Sequence, residues 1–435
     1  MQLHHQETEL NRPQRRRPFF SDLFLLCLGL VMLFGSQGWF FIGGNRARLG
    51  LLILGFLCIV FVALKRHRFI PANHFMFFLG TFAIFGLLFG ISVFQGHQLF
   101  LQRVIFQLVV LVLFISGALL GALPRLRGDK LSFFQVGVLS LIAIPGIIGV
   151  LRFAESLAFY AEASRGYGET ELNPIGLAYA TIVLALTFII VALESRGLLA
   201  RSLAIITTLI VLAAPLTSGS RGPILFLVMT LGLVLFLLLL KKQLSWGRFL
   251  GLVVLMPLIG VGAYLLMRGE FLFLERVDLL VNRFTAMFSY LTGETASSGD
   301  MSIEARFTMQ QYWLSIWQEW IILGFRGYDG YYPHNQFIEW GVRFGVLGLA
   351  VGAFFSFLLL RSIHLLFRRF DKVPFEVLLF FSFLMFAFLQ SMTSLSLDVN
   401  RALFLGYGYF FGFLYLRRRN LDGGRVGSLA SFKQE

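Results

Sequence analysis

The residues best suited to chemistry lie in the one long polar segment of an otherwise apolar chain, from Arg268 to Gly341. His334 and Asn335 stand near its end, just before an apolar run, in a chain with only 7 histidines. A neutral imidazole accepts a proton from a hydroxyl group near neutral pH more readily than an unshifted carboxylate or lysine does. The alternative interpretation is a structural histidine at a helix start. His334 is therefore the candidate general base.

Arg221 is the first candidate for holding an anion. It lies in the turn TSGSRGP, residues 217–223, where Ser220 precedes Pro223 and proline suits the first turn of a helix. Exposed backbone N–H groups and the positive end of that helix should point outward beside the guanidinium. The alternative is an arginine whose side chain merely extends to lipid headgroups. The turn thus has the outline of an anion site.

Arg306 is the second candidate and opens a segment, about 302–323, with the spacing of an amphipathic helix. The apolar residues at helical spacing are Trp313, Ile316, Trp317, Trp320 and Ile321. The simpler interpretation is an interfacial helix held by its tryptophans. The stronger interpretation, compatible with the first, is that the helix also covers a cavity and directs Arg306 inward. Gly324, Gly327, Gly330 and Pro333 then predict a turn-rich passage up to His334. The secondary candidates are Ser220, Asn335, Glu339 and Arg326.

The chain lacks the closely spaced acidic residues that metal-dependent transfer usually requires. There is no Asp-x-Asp sequence, and the short loop GGNRAR, residues 43–48, contains no acid. Glu169 and Glu171 lie two residues apart in a polar loop, where such acids are more often only solvated. Walker, dinucleotide-binding and Gly-x-Ser-x-Gly patterns are also absent. We expect no metal and no cofactor.

The composition indicates a polytopic membrane protein, which must position these residues. Hydrophobic residues make up 57% and charged residues only 14% of the chain, whereas soluble domains carry about 25% charged residues. The net charge of +14 lies in short clusters between apolar runs, which is typical of topology signals and not of nucleic-acid binding.

Twelve apolar runs have about the length of a spanning helix. They lie near 19–42, 49–64, 74–94, 104–123, 131–151, 175–193, 202–217, 223–240, 249–267, 342–360, 374–394 and 402–416. With a cytoplasmic N-terminus, the inside segments hold most of the 37 Lys and Arg residues and every Lys, in agreement with the positive-inside rule. Both termini are then cytoplasmic.

The predicted organisation is all-α, with one large outer loop. Its parts are a basic cytoplasmic tail (1–18), transmembrane helices 1–9 (19–267), a large periplasmic loop with the amphipathic helix (268–341), transmembrane helices 10–12 (342–416) and a cytoplasmic tail (417–435). A loop of that length is usually functional or disordered, and its aromatic content argues against disorder.

The chain resembles the bacterial O-antigen ligase and O-antigen polymerase superfamily. The resemblance rests on Ser220-Arg221-Gly222 at an outer turn, Arg306 opening an amphipathic segment, the passage 324–330, and His334-Asn335 leading to Glu339 and the run 345–349. It covers residues 200–350 by motif and the whole chain by topology.

The resemblance implies a glycosyltransferase class C fold and metal-independent, inverting transfer of a glycan from undecaprenyl diphosphate. Arg221 and Arg306 would hold the diphosphate, and His334 would act on the acceptor hydroxyl. The site would face the periplasm from the inner membrane of a Gram-negative bacterium. The one large outer loop favours a ligase, which transfers the glycan to the lipid A core.

Two alternatives to the ligase stay open at the level of sequence. A polymerase would transfer the glycan to another lipid-linked repeat unit, and the outer loop from Arg152 to Pro174 is compatible with that role. A twelve-span transporter is the alternative from another class. It is disfavoured because the spans contain few ionisable groups, and Pro145, Pro215 and Pro257 form no paired pattern.

Overall fold

The fold is all-α in the part of the chain that the computed structural model describes. Those residues are 21–67, 75–94, 100–122, 130–152, 174–217, 221–246, 285, 289, 301–326, 333–369, 373–393, 396–397 and 400–416. They are almost entirely helical and include no β-strand. The helical prediction is confirmed for this part.

The described residues form twelve helices. They are α1 (Asp22–His67), α2 (Phe75–Phe94), α3 (Phe100–Ala122), α4 (Phe133–Arg152), α5 (Pro174–Glu194), α6 (Gly197–Thr217), α7 (Arg221–Leu240), α8 (Met301–Ser315), α9 (Trp317–Trp320), α10 (Gln336–Arg369), α11 (Phe375–Ser391) and α12 (Arg401–Phe411), which continues as a π-helical turn over Gly412–Leu416.

Seven helical stretches among the described residues are long and apolar enough to cross a membrane, and three further apolar helices are shorter. Each apolar run predicted from the sequence is helical where the structure describes it. The ninth run, 249–267, lies outside the described residues. The membrane character is therefore supported, and the total of twelve spans stays a prediction.

The first two spans are joined by a reversal at Gly44, which has φ 65° and ψ −164° inside α1. Lys65 Nζ donates to Asp22 Oδ1 over 2.7 Å, and a Cβ placed on Gly29 would lie 2.9 Å from the carbonyl oxygen of Gly55. The two halves of α1 are therefore antiparallel. The loop predicted over 43–48 is wrong in extent, because a glycine at positive φ reverses the chain in a single residue.

A second reversal occurs in α10 at Gly345, with φ 61° and ψ −145°. The position of a Cβ on Gly348 is in contact with the carbonyl oxygen of Trp340, and the indole of Trp340 packs on Gly352. Residues 336–344, called the return helix below, therefore fold back along the helix that follows. The tenth span, predicted from residue 342, therefore contains a reversal near its start, and its boundary stays a prediction.

The amphipathic segment differs from its prediction in two ways. It is not one helix over 302–323, because Ile316 (φ −105°, ψ 26°) separates α8 from α9. Its tryptophans also do not share one environment. Trp313 and Trp320 are buried in a small cluster with Val342 of the return helix, whereas Trp317 is 49% exposed. The segment packs on the return helix through part of its apolar residues only.

The closest helix crossing joins α3 to α12 through glycines. The positions of Cβ atoms on Gly117 and Gly121 contact the carbonyl oxygens of Leu405 and Tyr409. In the other direction, Gly408 and Gly412 face the carbonyl oxygens of Phe114 and Ala118. Small residues four apart let helix backbones approach closely where van der Waals packing must replace the hydrophobic effect.

Aromatic stacking fixes α12 from its other sides. Tyr409 stacks on Phe380 of α11 with centroids 4.2 Å apart, and Tyr407 stacks on Phe355 of α10 at 4.5 Å. Trp340 of the return helix meets Phe404 of α12 edge-on at 6.3 Å. The return helix is thus part of the aromatic core of the bundle.

Polar contacts join helix ends in two separate groups. Lys65 with Asp22, Leu131 with residues 194–196, Lys241 with Phe367 and Gln243 with Val373 connect segments that the sequence assigns to the cytoplasm. Tyr179 with Asn400, Gln336 with Ser391 and Glu339 with Leu397 connect segments assigned to the periplasm. We call the second group the His334 end. The pairing agrees with the predicted alternation of spans, and which end faces the cytoplasm stays a prediction.

We expect Gly408→Ala to destabilise the protein by about 1–3 kcal/mol, because the added methyl group overpacks the crossing of α3 and α12. Gly86→Ala in α2 is the matched control, since a Cβ there would meet nothing within 4 Å. Thermal unfolding in detergent measures both variants. Equal unfolding temperatures for the two would contradict the tight crossing.

Candidate functional site

His334 lies immediately before the return helix in a strained backbone conformation. Its φ is 52°, in the left-handed region that side chains other than glycine seldom adopt. Such a conformation costs about 1–2 kcal/mol and persists only where the surrounding structure imposes it. The side chain is half-buried. His334 is thus held in one position by its neighbours.

Asn335 has a structural task that the sequence did not assign to it. Its Oδ1 accepts hydrogen bonds from the backbone N–H of Phe337 at 3.0 Å and of Ile338 at 3.4 Å. Asparagine at this place satisfies N–H groups that the first turn of a helix leaves free. Asn335 therefore starts the return helix, and its amide oxygen is already engaged there.

Arg306 comes close to His334 from the facing helix α8. Its positive charge acts on the imidazole, and one turn further along α8 the amide of Gln310 donates to the carbonyl oxygen of His334 over 3.5 Å. Trp313, another turn along, is buried against the return helix. Residues 306, 310 and 313 lie on one face because they are three to four apart. The structure thus brings two of the predicted site residues together.

The environment keeps the imidazole of His334 neutral. Burial, and secondly the charge of Arg306, lower its pKa from 6.5 to about 3. An imidazole with that pKa is neutral at neutral pH and is a weak base, because burial and the charge of Arg306 both oppose its protonation. Because the unfolded chain would bind a proton near pH 6.5 and the folded one would not, this group lowers stability as the pH falls from 6.5 toward 3.

Glu339, a secondary site candidate, is bound to structural partners. Its Oε1 pairs with Arg343 Nη2 at 2.8 Å, and both side chains are almost completely buried. Its two carboxylate oxygens accept the backbone N–H of Leu397 at 3.2 and 3.1 Å. Arg343 in turn donates to Ser396 Oγ at 3.3 Å. Glu339 therefore ties the return helix to residues 396–397.

A further hydrogen bond continues this connection one turn earlier. Ser391 Oγ donates to Gln336 Oε1 over 2.8 Å at the end of α11. Gln336, Glu339 and Arg343 lie on one face of the return helix, so two successive turns are fixed to the end of α11 and to residues 396–397. We call these contacts the polar seam. Arg343 was not among the predicted site residues, although its spacing of four from Glu339 is the signal for an ion pair.

The other predicted site residues are described only in part. Arg221 is the first described residue of α7, and Pro223 follows two residues later. The helix start itself stays a prediction. The side chain of Arg221 and all of Ser220 lie outside the described residues. Arg326 is exposed, next to Phe325, whose N–H donates to the carbonyl oxygen of Val342 over 2.7 Å.

In the described ranges, no three His, Cys, Asp or Glu side chains come together as a metal site would require. No family model, curated protein or solved structure matches the chain. The arrangement itself offers a guanidinium beside a neutral, half-buried imidazole at one end of a membrane bundle. Such a pair suits a reaction in which an anion is held while a hydroxyl group loses its proton.

We expect Arg306→Gln to raise the pKa of His334, because it removes the positive charge that opposes protonation. Burial remains, so the pKa should stay below its ordinary value. The pH dependence of acylation of His334 by diethylpyrocarbonate, followed by peptide mass spectrometry, measures the change. Arg326→Gln is the control, since Arg326 is exposed. Superimposable profiles for wild type and Arg306→Gln would contradict the electrostatic contact.

A second prediction concerns the buried pair of the polar seam. Glu339→Gln should cost about 3–5 kcal/mol of folding free energy, because it leaves the buried charge of Arg343 without its carboxylate. The double variant Glu339→Met, Arg343→Met should unfold at a higher temperature than Glu339→Gln, since replacing both charges leaves no buried ion. Thermal unfolding of the three proteins in one detergent measures this. A double variant less stable than Glu339→Gln would count against the pair.

Proposed function

We propose that this protein is an O-antigen ligase. It would transfer a glycan from undecaprenyl diphosphate to the lipid A core oligosaccharide, with inversion and without a metal ion, on a fold of the glycosyltransferase C class. The observation that carries the proposal is the meeting of Arg306 with a neutral His334. The donor carries a diphosphate anion, which Arg306 would bind. The acceptor carries a hydroxyl group, whose proton His334 would accept.

The proposed reaction is a single displacement. The acceptor hydroxyl oxygen attacks the anomeric carbon of the donor sugar, the new glycosidic bond forms, and the bond between that carbon and the diphosphate breaks. The hydroxyl proton passes to His334, and undecaprenyl diphosphate leaves with the electron pair. Attack opposite the leaving group inverts the anomeric configuration, so the reacting carbon would have to lie between His334 and the diphosphate that Arg306 holds.

Arg306 supports the leaving group in this proposal. A guanidinium presents a planar pair of N–H donors that matches two phosphate oxygens, and its charge offsets the charge that develops as the bond breaks. Arg221 is the second proposed diphosphate ligand. Its position as the first residue of α7 adds the positive helix end to its own charge.

Donor binding would also improve the base. The charge of Arg306 is one of the two causes that lower the pKa of His334. A diphosphate bound to Arg306 brings negative charge beside that guanidinium, so the pKa of the imidazole rises toward its ordinary value. His334 would then accept a proton readily only when the donor is present.

A polymerase remains the second candidate, because only its acceptor differs from that of a ligase. For either enzyme we propose the inner membrane of a Gram-negative bacterium, with both chain termini in the cytoplasm and the His334 end in the periplasm. The separate grouping of polar contacts at the two ends of the bundle agrees with that alternation.

We expect His334→Asn to reduce glycan transfer by about 10²–10⁴-fold, because it removes the general base. Asparagine tolerates the left-handed backbone conformation better than alanine, so the variant separates loss of the base from loss of the fold. The assay uses purified protein with undecaprenyl-diphosphate-linked glycan, and offers lipid A core and a second lipid-linked repeat unit in turn. Wild-type rates for the Asn variant would make His334 structural.

The same transfer assay tests the arginine, the absence of a metal ion and the acceptor. Arg306→Lys keeps the charge but loses the planar fork, so we expect at least a tenfold loss, about 1.4 kcal/mol of transition-state stabilisation. Addition of EDTA should leave the wild-type rate unchanged, because the proposed charge stabilisation comes from arginines. Transfer to lipid A core alone identifies a ligase, and transfer to the repeat unit alone identifies a polymerase. Loss of transfer with EDTA would overturn the mechanism.

A further inference from the structure

At the end of the bundle opposite His334, polar contacts join α7, α10 and α11. Lys241 Nζ, just after α7, donates to the carbonyl oxygen of Phe367 in the last turn of α10 over 2.6 Å. Gln243 bonds to both backbone groups of Val373, since its Nε2 donates to the carbonyl oxygen at 3.2 Å and its Oε1 accepts the N–H at 2.7 Å. The chain after α7 is therefore fixed beside the last turn of α10 and the entry to α11.

Lys242 lies within this junction in a backbone conformation that is usual for glycine. Its φ is 53°, in the left-handed region. The N–H of Lys242 donates to the carbonyl oxygen of Leu239 at 2.9 Å, and the N–H of Gln243 donates to that of Leu238 at 2.9 Å. These two hydrogen bonds form the Schellman motif that ends many helices, and its left-handed position is most often glycine because a Cβ is disfavoured there. The backbone therefore disfavours a lysine at this position.

A signal for membrane topology does not explain why the lysine stands at this position. The positive-inside effect depends on how many Lys and Arg residues lie near the end of a span, and not on which residue of a turn carries the charge. A charge at position 245, which is exposed and has no left-handed backbone, would serve that purpose equally well. Strained residues occur preferentially at functional sites. The strain at Lys242 therefore indicates that the place of its ammonium group matters.

Arg368 supplies a second exposed cation at the same junction. It follows Phe367, so Lys242 and Arg368 are each next in sequence to one partner of the hydrogen bond between Lys241 and Phe367. Both side chains are exposed, and neither forms an ion pair within the described part of the chain. The hydrogen bond that joins the two helix ends therefore also sets two cations at one place on the surface.

Positive charge predominates at this end of α7 and α10. Residues 241–246 and 361–376 contain six Lys or Arg residues and two acids. One of these acids, Glu376, is only 6% exposed. Arg361, in contrast, is exposed two turns before Arg368 on the same face of α10. The junction therefore offers a positive surface to its surroundings.

An apolar surface adjoins these cations. Phe357 and Leu360 of α10, and Phe236 and Leu240 of α7, are each about half exposed or more. The rings of Phe236 and Phe367 have centroids 6.5 Å apart, so the two helices meet beside these exposed side chains. In a membrane such side chains face acyl chains. A molecule with acyl chains and an anionic headgroup therefore matches both parts of the surface.

We propose that Lys242 and Arg368 bind the headgroup of an anionic phospholipid, whose acyl chains lie against the exposed apolar residues of α7 and α10. The phosphate oxygens accept hydrogen bonds from the ammonium and guanidinium groups. The positive surface favours a lipid with net negative charge over a zwitterionic one. With the proposed orientation, this lipid belongs to the cytoplasmic leaflet. The inference does not depend on glycan transfer, and its test does not use that activity.

Thermal unfolding of the purified protein in a neutral maltoside detergent measures lipid binding. Phosphatidylglycerol and phosphatidylcholine are titrated separately in mixed micelles, with inorganic phosphate as a third probe. We expect a concentration-dependent rise of the unfolding temperature with phosphatidylglycerol, and a much smaller rise with the other two probes. No rise with phosphatidylglycerol overturns the proposal. An equal rise with phosphatidylcholine or with inorganic phosphate also overturns it, because the headgroup charge or the acyl chains would then contribute nothing.

Lys242→Gly is the deciding variant, because its two expected effects differ in direction. Glycine adopts the left-handed conformation without strain, so the variant without lipid should unfold at the same or a higher temperature than wild type. Its affinity for phosphatidylglycerol should fall about fivefold, as expected for the loss of one basic residue near an anionic membrane surface. A variant with wild-type affinity would make Lys242 a helix end only and contradict the site.

Two arginine variants complete the comparison. Arg368→Gln removes the second proposed ligand and should weaken phosphatidylglycerol binding by a similar factor. Arg196→Gln is the matched control, since Arg196 is an exposed cation at the same end of the bundle but lies in the turn between α5 and α6. It should keep the wild-type titration. An equal loss in Arg196→Gln would assign the effect to net charge alone and overturn the site. A dimer in detergent that Lys242→Gly dissociates would instead assign this surface to a second copy of the chain.

Discussion

The buried ion pair between Glu339 and Arg343 is the interaction on which the arrangement of the site depends. It lies within the return helix, and each partner also bonds to residues 396–397. Two charges buried in an apolar bundle are tolerated only when their geometry satisfies both. Because the pair fixes the return helix against the segment before α12, it also fixes His334, which lies just before the return helix.

The reversal at Gly345 makes this arrangement possible. Without it, residues 336–344 would extend the following helix away from the bundle, and Glu339 would not reach Leu397. The glycine has a positive φ, and the backbone of Ile322 and Leu323 contacts the position of its missing Cβ. A side chain at residue 345 would therefore be disfavoured twice, by backbone conformation and by contact. The same residues connect the return helix to the segment that carries Arg306.

The polar residues of the bundle differ in the charge of their neighbours. The opposite charges of Glu339 and Arg343 neutralise each other and hold structure. Arg306 acts on a neutral imidazole, so an anion added beside this cation would be stabilised. In a bundle with few ionisable groups, a cation beside a neutral imidazole indicates ligand binding more strongly than it indicates stability.

Several features of this protein follow from the amino-acid sequence alone. Apolar runs of spanning length require helices in a membrane, because only internally hydrogen-bonded backbone is tolerated there. Pro223 favours a helix start at the turn of Arg221, and residue types along one polar segment indicate Arg306 and His334 as candidates for chemistry. These are local properties of composition, periodicity and turn chemistry.

Only the tertiary structure decided where the site residues point. Gly44 and Gly345 reverse the chain, but the sequence around them does not distinguish them from the other glycines. A positive φ depends on contacts with residues that are distant in the sequence. Glu339 was taken for a candidate beside His334, but its carboxylate is directed to Arg343 and Leu397. Tyr179 and Asn400 share a hydrogen bond although they are 221 residues apart in the sequence, and no local pattern connects them. Long-range packing brings them together, and such packing is not encoded in any single stretch of sequence.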